Sequence, residues 1–360
     1  MLVNIENKLA QPIQIEWLTP AYQSNQYIVN LFFSHKKSFD MQTMKSFLKG
    51  SLMLLAVFTL FARCSDDEGS TSDVTGTVNF ELTDGPIDDA NIEGVFITVI
   101  GVEVDGEPVD SFTKQTINLM DYQGGTTKLL GSFQVEAGEH DDVTLVLDFE
   151  NDANGNSPGA YVLATGGVKH DLDDDSDDDS EAVEVKTTEF EVTETATTTL
   201  VLDFDLRKAI KYEDNPTAND SYELVADLNL NDALRVVEKE NTGKIQGTVS
   251  DDLNLTDRIV VYVYEKGEFD FDDETDGEVE FEDALASATV NQGNFTIAFL
   301  EEGEYEIHAI GYEDADNDGD MEIMGEIDLD ILGGIDLTNV SVTAKGTVSL
   351  NLSVLGILNP

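Results

Sequence analysis

The chain is poor in several things at once, and each shortage excludes a class of protein. It has one cysteine in 360 residues, Cys64, so it has no intrachain disulfide framework and no multi-cysteine zinc site. It has 19 lysines and arginines against 74 aspartates and glutamates, a formal charge of −55. A surface of that sign repels phosphate, which excludes a nucleic-acid partner, and it disfavours electrostatic docking on anionic lipid. Seven prolines and 28 glycines are too few for a low-complexity chain. The GxSxG, HExxH, GxxxxGK[ST] and GxGxxG motifs are all missing. Paired carboxylates abound, but at this acidity a pair carries information only through its separation across a cleft. The chain therefore reads as a non-enzyme.

Long apolar runs are missing too. The longest, Leu52–Phe61, falls short of the roughly 20 apolar residues that a spanning helix needs. Lys45 and Lys49 precede it and Cys64 follows it, so a positive start and a short apolar stretch read as a secretory signal. This segment resembles a bacterial lipoprotein signal in which the cysteine becomes the acylated residue. Ser65-Asp66-Asp67-Glu68 behind it resembles the surface-export signal of Bacteroidota lipoproteins. Arg63 stands where such signals carry a small residue, and Phe61 at the third position back. The resemblance implies a membrane partner through acylated Cys64 and a surface-exposed place on the outer membrane. Several acyl chains anchor firmly, since each buried CH2 contributes about 0.8 kcal/mol.

On this reading residues 44–63 are the signal peptide and 64–73 an acidic tether. Residues 1–43 are an upstream extension before the true start at Met41 or Met44, the alternative being a genuine extension before an uncleaved anchor. Beyond residue 63 the chain carries 71 acidic and 13 basic residues, so the acidity belongs to the exported part.

From Val74 onward the apolar residues alternate. Val78/Phe80/Leu82, Val143/Leu145/Leu147/Phe149, Leu200/Leu202/Phe204 and Tyr222/Leu224/Ala226/Leu228/Leu230 each follow the period of two that marks a half-buried strand. Val95–Val104 is apolar on both faces, as a central strand would be. Only Leu206–Tyr212 and Asp232–Glu238 suggest short helices. A second series opens at Lys244–Val249, much as Thr75–Val78 opens the first. It continues at Ile259–Tyr264, Phe295–Phe299 and Tyr305–Ile310, and closes with Val340, Val342, Ala344, Val348, Leu350, Leu352 and Val354 on one parity. Many short strands separated by turn residues predict an all-β chain of two β-sandwich domains, 74–238 and 244–360, joined by a linker at Glu238–Gly243. Leu-Val-Leu-Asp-Phe occurs twice, within Val143–Glu150 and Thr199–Asp205, and reads as one sheet's preference for similar strands.

Two family resemblances follow. Gly76–Asp84 ending in Leu82-Thr83-Asp84-Gly85-Pro86, with Val95-x-Ile97-Thr98-Val99, Val102-Glu103-Val104, Val135-x-Ala137-Gly138 and Leu202-Asp203-Phe204-Asp205, resembles domain of unknown function 4382 over roughly Val74–Glu238. That family brings no catalytic residues with it. Gly247-Thr-Val249, Val261-x-Val263, Gly293-x-Phe295-x-Ile297 and Leu300-x-x-Gly303-x-Tyr305-x-Ile307-x-Ala309 resemble the transthyretin-like or carboxypeptidase-regulatory-like sandwich, which implies a spacer or binding role.

Calcium is the one cofactor the residues suggest. Asp314-Ala-Asp316-Asn-Asp318-Gly319-Asp320 alternates acids around a glycine, the pattern with which a loop wraps a hard cation. The twelfth position is Gly325, with Glu326 one beyond, and the flanks read as strands. Asp314, Asp316, Asp318 and Asp320 therefore read as a calcium loop on a sandwich, with a water-solvated acidic turn as the alternative. Glu150-Asn-Asp152-Ala-Asn154-Gly155-Asn156 is a weaker sibling, with Glu150, Asp152 and Asn154 as ligands. Asp171–Glu181 is a self-repelling charge run. Glu268–Glu282 alternates acids with Phe269, Phe271, Val279 and Phe281 and fits an acidic hairpin or a loop equally. The four histidines, His35, His140, His170 and His308, read as surface or satisfied core residues.

The resulting expectation is a lipid-anchored surface lipoprotein with a non-catalytic binding or structural role. A glycan-binding or glycan-processing accessory protein is one alternative. It is weakened because the only tryptophan, Trp17, precedes the signal. An adhesin or surface-assembly subunit is the other, and a surface protein or glycan would be the ligand. The sequence leaves the oligomeric state open.

Overall fold

The computed structural model describes residues 74–85, 91–172, 180–212, 222–224, 233–275, 279–315, 321–331 and 333–358. Among them the chain is all-β, and Thr71–Pro360 cluster as one compact unit. The strands fall into two assemblies that share no strand. The first comprises β1 (Thr75–Gly85), β2 (Ile92–Val104), β3 (Glu107–Pro108), β4 (Gln115–Asn118), β5 (Lys128–Glu136), β6 (Gly138–Asp148), β7 (Tyr161–Ala164), β8 (Val168–Asp171), β9 (Ser180–Val192), β10 (Thr197–Asp205), β11 (Ile210–Tyr212), β12 (Tyr222–Leu224) and β13 (Leu234–Glu238). The second comprises β14 (Gly243–Ser250), β15 (Arg258–Glu265), β16 (Ala286–Thr289), β17 (Asn294–Leu300), β18 (Gly303–Glu313), β19 (Glu322–Ile331), β20 (Val340–Val342) and β21 (Thr347–Leu358). A 3₁₀ turn at Lys239–Asn241 runs between them.

In the first assembly a four-stranded sheet, β13-β10-β1-β5, stacks on a seven-stranded one built on β8-β7-β2-β6-β9. The alternation seen in the sequence explains the stacking. Val78, Phe80 and Leu82 of β1 and Leu200, Leu202 and Phe204 of β10 point inward, and all are essentially fully buried. They meet Val143, Leu145 and Leu147 of β6 and Val95, Ile97, Val99 and Val102 of β2 in one core. The two Leu-Val-Leu-Asp-Phe strands thus lie in different sheets, facing each other, rather than in one sheet.

In the second assembly a single sheet follows the order β16-β15-β18-β19-β21-β14-β17, with β20 beside β18. Its end strands β16 and β17 approach each other, so the sheet curls round Ile245, Val261, Val263, Ile297, Ile307, Leu350 and Leu352. A second apolar layer lies on its outer face. There the described residues 268–275 and 279–282 form a cover. Asp270 caps the single helical turn Phe271–Glu274, and Phe269, Phe271 and Phe281 pack on Tyr262, Tyr264 and Tyr312. Phe281 is therefore a core residue of this layer, with Phe269 and Phe271 partly buried beside it; Glu274 is buried and accepts from the Tyr264 hydroxyl at 3.1 Å, while Asp270, Asp272, Asp273, Glu280 and Glu282 are exposed.

Three sequence expectations need correction. Leu234–Glu238 is a strand, not a helix, because Val236 and Val237 are β-branched and β10 offers them a ladder. Leu206–Tyr212 is helical only over Leu206–Ala209, after which Ile210–Tyr212 pairs with β12. The final parity run is two strands, broken by a tight turn at Thr343–Gly346 in which Ala344 is exposed and Lys345 is left-handed. The expected continuation of Tyr222–Leu224 through Leu230 lies outside the described residues.

The two assemblies open in the same way. β1 pairs in parallel with β10 and antiparallel with β5, and β14 pairs in parallel with β21 and antiparallel with β17. A Cβ on Gly76 would meet Val192 and the carbonyl oxygen of Thr193, the latter at 2.4 Å. A Cβ on Gly243 would meet Val342 and the carbonyl oxygen of Thr343, the latter at 2.5 Å. Val192-Thr193 and Val342-Thr343 both stand four residues before the strand that pairs in parallel, so Gly243, not Gly247, is the counterpart of Gly76. Gly76→Ala and Gly243→Ala are each expected to lower unfolding free energy by about 1–3 kcal/mol through overpacking. Gly356→Ala, which meets nothing within 4 Å, is expected to stay within about 0.5 kcal/mol of the parent in the same denaturant titration.

Candidate functional site

The site lies on the outer face of the four-stranded sheet, where the second assembly covers it. Strand period two sends Leu202 and Phe204 to the core and turns Val201, Asp203 and Asp205 outward. Register then places Val201 opposite Val237 and Asp203 opposite Arg235 across the β10–β13 ladder. Val201 and Val237 are buried against Phe299 and Ala298 of β17. An apolar patch and an ion pair thus sit side by side on one face.

Two arginines cross the seam. Arg235 donates to Asp203 Oδ2 at 2.5 Å and to the carbonyl of Phe299 at 3.0 Å. Arg207 donates to Asp205 Oδ2 at 2.5 Å and to the carbonyl of Phe281 at 3.0 Å. Its guanidinium also lies 5.1 Å from the centroid of the Tyr262 ring. Each arginine is held by an aspartate of β10 and grips a carbonyl of the second assembly. Both carbonyls belong to phenylalanines in the left-handed region, Phe281 at φ 56° and Phe299 at φ 58°. A left-handed residue with a Cβ costs roughly 1–2 kcal/mol. Strained backbone and ion pairs thus coincide at both contacts. A third cation, Lys239, reaches Glu81 Oε2 at 2.5 Å and lies 6.0 Å from the Phe299 ring.

Asp84, the last acid of β1, is the anomaly. It is 5% exposed. Its Oδ2 accepts from Gln123 Nε2 at 3.0 Å, while its Oδ1 is buried without a hydrogen-bond partner. Burial pushes its carboxyl well above the usual range. The Gln123 bond and the Leu206 N–H oppose this, and Asp205 and Asp203 add to it. Burial also raises Asp203, against the pull of Arg235, and lowers Lys208, whose neighbour Asp205 pulls the other way. A cavity of about 370 Å³ opens between the assemblies here, lined by Asp84, Asp203, Asp205, Lys208, Arg235 and Ser287 among others.

The residues expected from the sequence lie elsewhere. Cys64, Ser65, Asp66, Asp67 and Glu68 are outside the described residues, as are Asp316, Asp318 and Asp320. Asp314 is described: its N–H donates to Asp257 Oδ2 at 3.3 Å, and its own Oδ1 is buried without a partner. Ala315 N–H donates to Glu322 Oε2 at 3.0 Å. In the weaker loop, Asp152 Oδ1 accepts from the N–H groups of Asn154 and Asn156, both at 2.8 Å, and Oδ2 accepts from Asn156 Nδ2 at 2.9 Å. These bonds, led by those from Asn156, hold the Asp152 carboxyl below its ordinary value. Its oxygens thus face its own loop, with exposed Glu150 and Asn154 beside it. Among the described residues, no three His, Cys, Asp or Glu side chains converge as metal ligands. His140 bridges Asp105 Oδ2 and the Glu136 carbonyl, and His308 contacts Glu326 and stacks on Phe269.

Sequence reading passed over the seam, although two of the phrases that carry the family resemblance meet in it, the first over its described part Leu82–Gly85 and the second over Leu202–Asp205. The comparison with family models agrees over this stretch. Residues 75–226 form a DUF4382 domain, described as a domain of unknown function. Asp84, Asp203, Asp205 and Arg207 fall inside the DUF4382 match. Arg235 and β13, which complete the four-stranded sheet, lie beyond its end. No curated protein matches the chain. Among solved structures it is similar to the Bacillus anthracis TIE protein, at 10% identity and TM-score 0.17, covering 78% of this chain and 34% of that one. A leucine-rich repeat protein from Bacteroides thetaiotaomicron VPI-5482 follows at 13% and 0.19, covering 77% and 26%. BcpA, the major pilin subunit of Bacillus cereus, follows at 10% and 0.18, covering 78% and 70%. The chain thus spans about a third and a quarter of the first two, and at such scores nothing is carried over from any of them.

Removing either arginine strands a buried carboxylate, which costs about 3–5 kcal/mol. Arg207→Ala and Arg235→Ala are each expected to split a single calorimetric unfolding transition into two, with the second assembly melting apart from the first. Asp84 gives a signed pH effect. Its folded pKa lies above the unfolded one, so the folded chain holds a proton that the unfolded chain has released. That contribution is lost as pH rises from the ordinary carboxylate range through the raised folded value. Asp84→Asn stays neutral, so its melting temperature is expected to gain on the parent's as pH rises above the ordinary carboxylate range, about 4.

Proposed function

We propose that this chain is a lipid-anchored lipoprotein of the outer-membrane surface, tethered through acylated Cys64, in which a stiff β-body serves a non-catalytic binding or structural role. The observation that carries the reading is the seam. Two Asp–Arg–carbonyl bridges and an apolar patch join the DUF4382 domain to the strands that follow, and a body held this way keeps whatever it presents at a fixed distance from the membrane. In this reading 74–238 and 244–360 are two β-sandwich domains, the second of the transthyretin-like or carboxypeptidase-regulatory-like kind.

Calcium ordering of the Asp314–Asp320 loop belongs to the same proposal. Asp314 supports it, because a carboxylate oxygen shielded from water and without a donor lacks a positive neighbour. A surface-assembly role is the second reading, and β5 favours it. β5 forms one edge of the four-stranded sheet and carries Leu129, 51% exposed, so another chain could add a strand there.

Growth with an alkyne-tagged fatty acid tests the anchor. The parent is expected to take up the label and fractionate with membranes, and Cys64→Ala to lose both properties. An unlabelled parent would remove the lipoprotein reading. For the loop, calcium is expected to raise the melting temperature of the parent and to leave an Asp316→Ala, Asp318→Ala double variant unmoved.

A further inference from the structure

Aspartate and glutamate make up 74 of the 360 residues, yet one stretch of surface has none. Three grooves of about 320, 270 and 330 Å³ meet at Thr296, on the outer face of β17, β14 and β21. No carboxylate lines any of them, whereas Lys239, Lys244 and Lys345 line the second. The seam cavity, which also reaches Thr296, differs: Asp84, Asp203, Asp205 and Glu301 line it.

Register orders this face. Strand period two sends Ile245, Ile297 and Leu350 into the core and turns Gln246, Thr296 and Ser349 outward. Those three form one row, because Gln246 lies opposite Thr296 on one side and Ser349 on the other. Thr248 centres the next row, between Asn294 and Asn351. Each row thus runs across the strands with one polar side chain every ~4.8 Å.

A similar set of rows on β1, β10 and β5 satisfies itself. There Thr75 donates to Gln134, Gln134 donates to Thr77, and Asn79 donates to Thr199. On the acid-free face Thr248 donates to Asn351 at 3.1 Å. The side chains of Gln246, Thr296, Ser349 and Lys244, however, have no hydrogen-bond or ion-pair partner in the protein.

The chemistry of these groups narrows the partner. A chain of charge −55 repels a polyanion, and amides and hydroxyls offer a cation no carboxylate. Lys239 and Lys345 already face Glu81 and Glu240, so the lysines add donors rather than a strong positive field. An uncharged ligand rich in hydroxyls fits, because each hydroxyl both donates and accepts. An extended β-1,4-linked sugar chain advances by close to one strand spacing per sugar, so it meets one side chain of a row at each step. Phe295 and Phe299, the rings that line the grooves, are buried, so hydrogen bonds rather than stacking carry the affinity.

We propose that the acid-free face of β17, β14 and β21 binds an extended, uncharged β-1,4-linked polysaccharide laid across the strands, with Gln246, Thr296 and Ser349 as its central contacts. This rests on the binding half of the function proposed above, and not on the anchor at Cys64.

The test is electrophoresis of the full-length chain in native gels cast with hydroxyethyl cellulose, galactomannan or arabinoxylan, each built on a β-1,4 backbone, or with polygalacturonate. At a charge of −55 the free chain migrates fast, so capture reads as lost mobility. At least one of the first three polymers is expected to retard the parent, with or without added salt, and polygalacturonate is expected not to. Gln246→Ala and Thr296→Val are each expected to need about fivefold more polymer, or greater, for the same retardation. Ser132→Ala, on the self-satisfied rows, is expected to behave as the parent. Should either variant misfold, Ser349→Ala, exposed and away from the seam, takes its place. No retardation by any of the three polymers, retardation by polygalacturonate alone, or equal retardation of the variants and the parent would overturn the proposal. So would retardation that follows the chain's own concentration and not the polymer's, which would mean that a second copy occupies the face. Each of these results leaves the anchor standing, because fatty-acid labelling at Cys64 decides that separately.

Discussion

The outward face of β10 sets the rest of the structure. Its inward residues, Leu200, Leu202 and Phe204, are ordinary core, and many residues could replace them with repacking. Its outward residues, Val201, Asp203 and Asp205, have no such freedom, because each has a named counterpart on another element. Val201 meets Val237 and Phe299, Asp203 holds Arg235, and Asp205 both caps Leu206–Ala209 and holds Arg207. One strand therefore faces a core on one side and an interface on the other. Buried ion pairs are a poor source of net stability, since desolvation offsets most of their attraction. They are an effective source of geometry, because a guanidinium tied to a carboxylate points its remaining N–H groups in one direction. At this seam that direction is toward two carbonyls of the second assembly.

The left-handed phenylalanines make the same point from the other side. Phe281 and Phe299 take up a backbone conformation that costs free energy, and in return each presents a carbonyl to an arginine. The Phe281 carbonyl also accepts from the Ala284 N–H at 3.2 Å, and Phe299 lies opposite an irregularity of the β14–β17 ladder, so each conformation serves the second assembly's own turns as well as the seam. The strain is local to the second assembly and the gain is shared by both, which couples their stabilities.

Much of the fold was legible in the sequence because period-two alternation is a one-dimensional signal. Val78/Phe80/Leu82 and Leu200/Leu202/Phe204 read directly as inward faces. Leu234–Glu238 misled because five residues are too few to show a period, and only the ladder offered by β10 makes them a strand. The Glu268–Glu282 stretch was ambiguous for a related reason. Its phenylalanines are spaced for a cover over a tyrosine face, which is neither helix nor strand periodicity. The site was least legible. Asp203 and Asp205 look like any two acids among 74, and what distinguishes them is a partner 32 residues away or a guanidinium two residues on. The usable signal was scarcity: the chain has four arginines, and Arg207 and Arg235 both stand beside buried apolar residues. The loops chosen for calcium were conspicuous because their acids are consecutive in sequence, a property that exposed turns share.

The matched openings of the two assemblies carry a consequence for folding. β10 and β21 are led in by the same Val-Thr pair and close on the same side of a strand with a glycine in its first two residues, Gly76 or Gly243. An unfolded chain, or two chains unfolded together, therefore offers each closing strand two docking places of similar shape. The inward residues discriminate little, since Leu200 and Leu202 correspond to Leu350 and Leu352. The outward ones do: Val201, Asp203 and Asp205 correspond to Asn351, Ser353 and Leu355. If β10 docked in the wrong place it would bury Asp203 away from Arg235 and leave Val201 without Phe299. The residues that lock the seam thus also serve as an address label, deciding which of two look-alike strands belongs where.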